Sequence, residues 1–202
     1  MKKLTIALLL ATASTVVVAK PATTYDNVAL SYTSWKFDDV DLTLKGFVFD
    51  GTKLMTENLY VNTQIIVVGD QESAFGSTYD LDTRELKISL GYNLSLTEQT
   101  DAYGQFGLVR QSVKTETRSN NYREFDTESD SGTSILVGVK HNFGKFEGGV
   151  FAERLNGGGD DETSSIFGVD GRYKFTDNFH AVAQYGKESD FNYYKVGVSY
   201  AF

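Results

Sequence analysis

Two histidines, His141 and His180, are the only imidazoles in the 202-residue chain, and there is no cysteine. A general base needs a partner within hydrogen-bond reach that orients its ring. For His180 only the region of Lys174 and Glu147 offers one. The stretches "DTESDSG" and "GGGDDE" mix acids and glycines as calcium loops do, but their spacing matches no EF-hand. There is no phosphate loop, zinc cluster or nucleophile motif. The stronger candidates are charges at alternate positions, expected on one face of the chain. They are Lys45, Lys87, Lys140, Arg172, Lys174 and Lys195, against Asp41, Glu85, Glu147, Glu153 and Asp170. Inside a fold such charges must be paired; around a narrow path they would set ion selectivity.

The elements that carry these charges read as strands. In "ELKISLGYNL", Leu86, Ile88, Leu90, Tyr92 and Leu94 share a face opposite Glu85, Lys87, Ser89, Gly91 and Asn93. "IFGVDGRYKF" sets Phe167, Val169, Tyr173 and Phe175 opposite Ile166, Asp170, Arg172 and Lys174, and "DLTLKGFV" sets Leu42, Leu44 and Val48 opposite Thr43, Lys45 and Phe47. Helical spacing fits none of them. Ten strands are predicted, at 27–37, 40–54, 59–70, 81–95, 101–115, 131–143, 146–156, 162–175, 178–187 and 191–202. In the first, Leu30 and Tyr32 against Trp35 and Phe37 suggest a bulge or a shifted start.

Punctuation between the strands alternates in kind. "MTEN" at 55–58, "LTEQ" at 96–99 and "FTDN" at 175–178 share a Thr-acid-amide pattern that favours side-chain-capped turns. "NFGKF" at 142–146 fills the fourth place. Between them lie longer acidic stretches, expected as loops: Asp70, Glu72, Asp80 and Asp82; Glu116, Glu124, Asp126, Glu128 and Asp130; Asp160, Asp161 and Glu162. Short turns at one end and long loops at the other describe an up-and-down sheet.

Composition narrows the setting. "MKK", an apolar run and Val17-Val18-Ala19 form a secretory signal peptide, cleaved after Ala19 to leave a single domain at 20–202. Losing Lys2 and Lys3 leaves 17 basic against 27 acidic residues, a net charge of −10. That balance excludes nucleic acid as a partner. Twelve Tyr, 14 Phe and one Pro suit long strands. A soluble sandwich also alternates, but its second face would not carry nearly balanced charges interleaved with Gly91, Gly138, Gly168 and Gly197. A polar, ion-paired interior under an apolar exterior is the pattern of a closed transmembrane barrel. The fold class is therefore all-β, a closed antiparallel up-and-down transmembrane β-barrel of ten strands, with eight as the alternative.

The chain ends "YYKVGVSYAF", in which Gly197, Tyr200 and Phe202 match the spacing of a barrel insertion signal with an aromatic last residue. Val196 stands where that signal carries a polar residue. With the signal peptide, this resembles the small bacterial outer-membrane barrels of the OmpA, OmpX and opacity-protein class. The resemblance implies a monomer in the outer membrane, with both termini periplasmic. It also implies insertion by the barrel-assembly machinery and contact with lipid and lipopolysaccharide, which divalent cations could bridge to the acidic loops. No cofactor or metal site is expected. Lys45, Glu85, Lys87, Glu153, Asp170, Arg172 and Lys195 are the lumen candidates. The expected role is a non-enzymatic structural or narrow-pore envelope protein. An adhesion or surface-recognition barrel is the alternative. An outer-membrane protease or lipid-modifying enzyme would need its histidines at the outer rim, and both lie at the short-turn end.

Overall fold

The computed structural model describes residues 23–38, 42–74, 77–119, 122–157 and 163–202. The expected signal peptide, Asp41, Asp160, Asp161 and Glu162 lie outside these, as does the side chain of Glu72. Ten strands form: β1 Asn27–Phe37, β2 Leu42–Leu54, β3 Leu59–Ala74, β4 Ser77–Thr97, β5 Thr100–Ser119, β6 Tyr122–Asn142, β7 Phe146–Asn156, β8 Thr163–Lys174, β9 Phe179–Lys187 and β10 Phe191–Ala201. Each pairs with its chain neighbours, and β1 closes on β10 from Asn27↔Ala201 to Phe37↔Phe191. The barrel is closed and antiparallel, with ten strands rather than eight.

Its exterior is apolar. Along β4, Leu86, Ile88, Leu90, Tyr92 and Leu96 are all exposed, and Phe106 and Leu108 continue the surface on β5. From Leu86 to Leu96 is about 33 Å along the strand, or roughly 25 Å at barrel tilt, the height of a lipid-facing band. Aromatic rings mark the short-turn edge of that band, where Tyr173, Phe175, Phe179, Tyr200 and Phe202 are exposed. Tyr200 and Phe202 of the terminal signal thus face outward, while Gly197 lies opposite Ser31.

The short turns form as their residues dictate. Thr56 Oγ1 accepts the Leu59 amide at 3.0 Å, Thr176 Oγ1 the Phe179 amide at 2.9 Å, and Thr97 Oγ1 the Gln99 amide at 3.2 Å. In the fourth turn Gly144 takes a φ of 94°, which a side chain would strain. Asn178 ties its turn to the last strand, donating to the Ala201 carbonyl at 2.8 Å.

Three expectations are corrected. The acidic stretches near 70–82 and 115–130 are not loops: β3–β4 stays paired to Ala74↔Ser77 and β5–β6 to Ser119↔Tyr122. Threonines and aromatics there favour extended backbone, and the charges sit on the projecting hairpins rather than on irregular chain. β1 has no bulge, because its register with both neighbours is unbroken. Trp35 and Phe37 turn inward and Leu30 and Tyr32 outward in simple alternation. The irregularity lies instead in β4, between Ser95 and Thr97.

The third correction concerns β2, whose faces are opposite to the expectation. Leu44 and Val48 are buried at 2% and 1% exposure, whereas Phe47, Phe49 and Lys45 face outward. Lys45 is therefore no lumen residue. Asp50 shares the inward face with Val48, and burying that carboxylate in the lumen costs less than presenting it to lipid. Lys45 sits toward the end of the band, where a long side chain can reach water.

Inward glycines are filled by aromatic rings from the strand opposite. Tyr60 lies over Gly91, Tyr103 over Gly138, Phe151 over Gly168 and Tyr193 over Gly186, each a directly paired position. A Cβ at any of the four would overlap the facing ring. Gly91→Val is expected to cost about 1–3 kcal/mol. Gly104→Ala, where the nearest atom would be 3.7 Å away, should leave stability unchanged or slightly raised. The temperature at which each variant loses its compact mobility on a gel measures both.

Candidate functional site

Ion pairs span the interior of the barrel. Lys87 Nζ donates to Glu153 Oε1 at 2.8 Å, linking β4 to β7, with both side chains under 10% exposed. Lys195 reaches Asp50 Oδ2 at 3.1 Å, and Gln64 donates to the other oxygen at 2.6 Å. Lys140 pairs with Asp170 at 3.7 Å. Glu147 takes Lys174 at 2.7 Å and Arg172 at 3.6 Å. Of the lumen candidates, Lys87, Glu153, Asp170, Arg172 and Lys195 are thus all engaged. Glu85 is half-buried beside Lys87 and makes no hydrogen bond or ion pair among the described residues. Asp50 and Asp101 were absent from the inward charges named from sequence.

A strap of chain before β1 lies across the end of the lumen that carries the termini. The Thr23 amide and hydroxyl both donate to Asp101 Oδ2 at 3.0 Å on β5. Thr24 donates to Glu147 on β7 at 3.2 Å, and Arg172 on β8 donates to the Thr24 carbonyl at 2.8 Å. Tyr25 is buried against Tyr60 of β3, with ring centroids 4.8 Å apart. The strap is therefore tied to four strands on different sides of the barrel. No periodicity marks it in the sequence, where Thr-Thr-Tyr stands between the expected cleavage point and the first strand.

Farther from the strap, apolar side chains join the charged lining. Leu44, Val48, Ile66 and Val68 form one cluster with Trp35, Phe37, Leu42 and Leu81 against it. Tyr103, Phe151 and Ile166 form another with Leu136, Leu155, Phe191 and Tyr193. Phe191 touches both, lying 5.6 Å from Trp35 and 5.0 Å from Phe37 by ring centroids. The two clusters make a collar. Along β2, Leu42, Leu44 and Val48 lie on the hairpin side of Asp50, and along β10, Phe191 and Tyr193 lie on the hairpin side of Lys195. A cavity of about 830 Å³ runs through this space, from Glu188 and Phe37 to Thr24.

The histidines fall at the turn end as expected, but neither is set for proton transfer. His180 is inward and buried; Nε2 meets the Asp177 carbonyl at 3.1 Å, and Nδ1 has no partner. Lys174, its pairing neighbour, is committed to Glu147. His141 lies on the outer face, bonded to Thr100 at 2.9 Å and packed on Phe143. Among the described residues, no three His or acidic side chains converge to hold a metal. Glu124, Asp126, Glu128 and Asp130 instead stand in line, two residues apart on β6.

The projecting β4–β5–β6 hairpins carry their own charge cluster. Glu116 accepts from Arg118 at 2.6 Å, Arg123 at 2.5 Å and Lys114 at 3.2 Å, and Arg118 also pairs with Asp80 at 3.4 Å. The hydrogen bonds from Arg118 and Arg123 hold the Glu116 carboxyl far below the usual carboxylate range.

No family model matches the sequence, and no curated protein matches it. Solved structures with a similar course include Ail, the attachment invasion locus protein of Yersinia pestis, at 14% identity and TM-score 0.45, covering 87% of this chain and 95% of that one. The KdgM porin in complex with disordered oligogalacturonate shows 15% identity and TM-score 0.45, over 86% and 99%. The translocator domain of autotransporter NalP from Neisseria meningitidis shows 13% identity and TM-score 0.48, over 100% and 96%. At such identities the likeness is one of barrel architecture.

Two outcomes follow for the charges. Lys87→Glu gathers three carboxylates at Glu85, position 87 and Glu153 and should destabilise the barrel by about 3–5 kcal/mol, whereas the double change Lys87→Met, Glu153→Met should cost less. The heat-dependent gel shift reads both. For Glu116, a depressed folded-state pKa means stabilisation that is complete above the ordinary carboxylate pKa and lost as pH falls through the depressed value. Amide exchange at the β5–β6 tip, corrected for intrinsic rate, should therefore accelerate on acidification below about pH 4, and Glu116→Gln should abolish that dependence.

Proposed function

We propose that this protein is a non-enzymatic outer-membrane barrel of the bacterial envelope, closed to free diffusion of solutes. The apolar band and aromatic edge suit lipid, and closure leaves no unpaired strand edge within it. With the chain exported by its signal peptide, the termini and short turns face the periplasm and the long hairpins face outward. The observation that carries the closed-barrel reading is the strap. Thr23, Thr24 and Tyr25 occupy the periplasmic end of the lumen and bond to β5, β7 and β8. Ion pairs that cross the interior narrow it further. Lys87, Glu153, Lys195 and Asp50 then act as structural braces rather than as selectivity rings.

A second reading is favoured by the hairpins themselves. β5 has 20 residues and β9 only 9, so one wall rises about 35 Å farther along the strand direction than the other. Tyr79, Tyr122 and Phe125 are exposed near its top, among charges of both signs. A stiff protruding wall with exposed aromatics suits recognition of an external surface, and its acidic edge suits cation bridging to lipopolysaccharide.

Single-channel recording of the refolded protein in a planar bilayer tests the closed reading. The expected result is no discrete conductance from the intact protein. Replacing Thr23, Thr24 and Tyr25 by glycine should release the strap and produce steps whose ion selectivity changes with Lys195→Glu. Discrete, reproducible steps from the intact protein would sink the reading in favour of a narrow pore.

A further inference from the structure

We propose that the outer half of the lumen is a binding site for an organic cation with an apolar body, an alkyl- or aryl-ammonium compound that enters from the hairpin end. Three observations meet there. The cavity, about 830 Å³, has the size of a pocket for a small organic ligand. Its collar gives an apolar body somewhere to go, and Trp35, Phe191 and Tyr193 add aromatic faces, which attract cations. Its charge is unbalanced among the described residues: leaving aside Asp130 on the β6 hairpin, six carboxylates and four cationic side chains line it. Lys174, just outside the lining, joins Arg172 on Glu147, so the five cations engage four of these carboxylates and leave two, Glu85 and Glu188.

The excess has an address. Lys87, Lys140, Arg172 and Lys195 are each occupied by a carboxylate already named. Glu85 feels only Lys87, which is already bonded to Glu153, and Glu188 at the mouth accepts only the Ser164 hydroxyl, at 2.6 Å. Neither carboxylate has a cation within ion-pair distance among the described residues, and both line the same cavity as Trp35 and Phe191. A bound ammonium group supplies the missing positive charge while its hydrocarbon part lies on the collar. A fatty carboxylate finds the same apolar wall but meets the excess of negative charge. The chemistry therefore selects the cation.

Trp35 is the only tryptophan in the chain and lines the cavity, so it reports occupancy directly. The experiment uses the refolded protein in phosphatidylcholine vesicles, titrated with octyltrimethylammonium, octanoate or 1-octanol while Trp35 emission is followed. The expected result is a saturable change with the cation, at a Kd roughly tenfold or more below that for either control. Glu85→Gln or Glu188→Gln should weaken the cation severalfold and leave octanol unchanged, with compact gel mobility confirming that each variant is folded. Equal affinity for the three probes, preference for octanoate, a response that never saturates, or indifference to both substitutions would each overturn the proposal. Binding does not need a sealed base, so a conducting barrel in the bilayer experiment would leave this result standing.

Discussion

Lipid offers the peptide group no hydrogen-bond partner, and this structure depends on meeting that constraint. Ten strands satisfy it by pairing around a ring in which β1 meets β10, so no strand has a free edge in the closed sheet. Everything else follows from having made a ring. A closed sheet has an inside, and an inside this narrow has to be filled by side chains or left as a passage. The outward residues are fixed by the solvent, whereas the inward ones are free to differ from place to place along the axis.

They do differ. Near the termini the lumen is held by ion pairs and by the strap, and toward the hairpins apolar clusters join Glu85, Glu153 and Glu188 along the wall. Charges in the lower layer are tolerable because each has a close partner: a carboxylate such as Glu147 meets two cations, and Asp50 meets a lysine and an amide. The collar needs no such pairing. Three of its rings, those of Tyr103, Phe151 and Tyr193, rest on glycines of the paired strand, which sets how far each can lean into the lumen. Stability and emptiness are thereby separated: the lower layer ties opposite walls together, and the upper one leaves space.

Much of this was legible from residue alternation. Period-two patterning in "ELKISLGYNL" and "IFGVDGRYKF" gave the faces of β4 and β8, and the Thr-acid-amide turns gave the strand order. On those strands Glu85, Lys87, Asp170 and Arg172 line the cavity. β2 was misread because it is apolar on both faces, with Leu44 and Val48 against Phe47 and Phe49, so hydrophobicity could not choose between them. Asp50 could have decided it, since a carboxylate facing mid-band lipid costs more than Lys45 near its edge. The collar was hidden for the same reason: Trp35 and Phe37 looked like a break in a lipid face when they belonged to an apolar lumen. Strand ends on β3 to β6 were missed because beyond the lipid the ladder continues with polar residues on both sides. The strap has no pattern to find, since it is held by side chains distant in sequence.

That distance carries a consequence for the order of assembly. Thr23 is 78 residues from Asp101, Thr24 is 123 from Glu147, and the Thr24 carbonyl is 148 from Arg172. The strap must therefore wait for β5, β7 and β8 before it has these partners to hold. Until then the ends of β5, β7 and β8 that it ties together are held only by their neighbours in the ring.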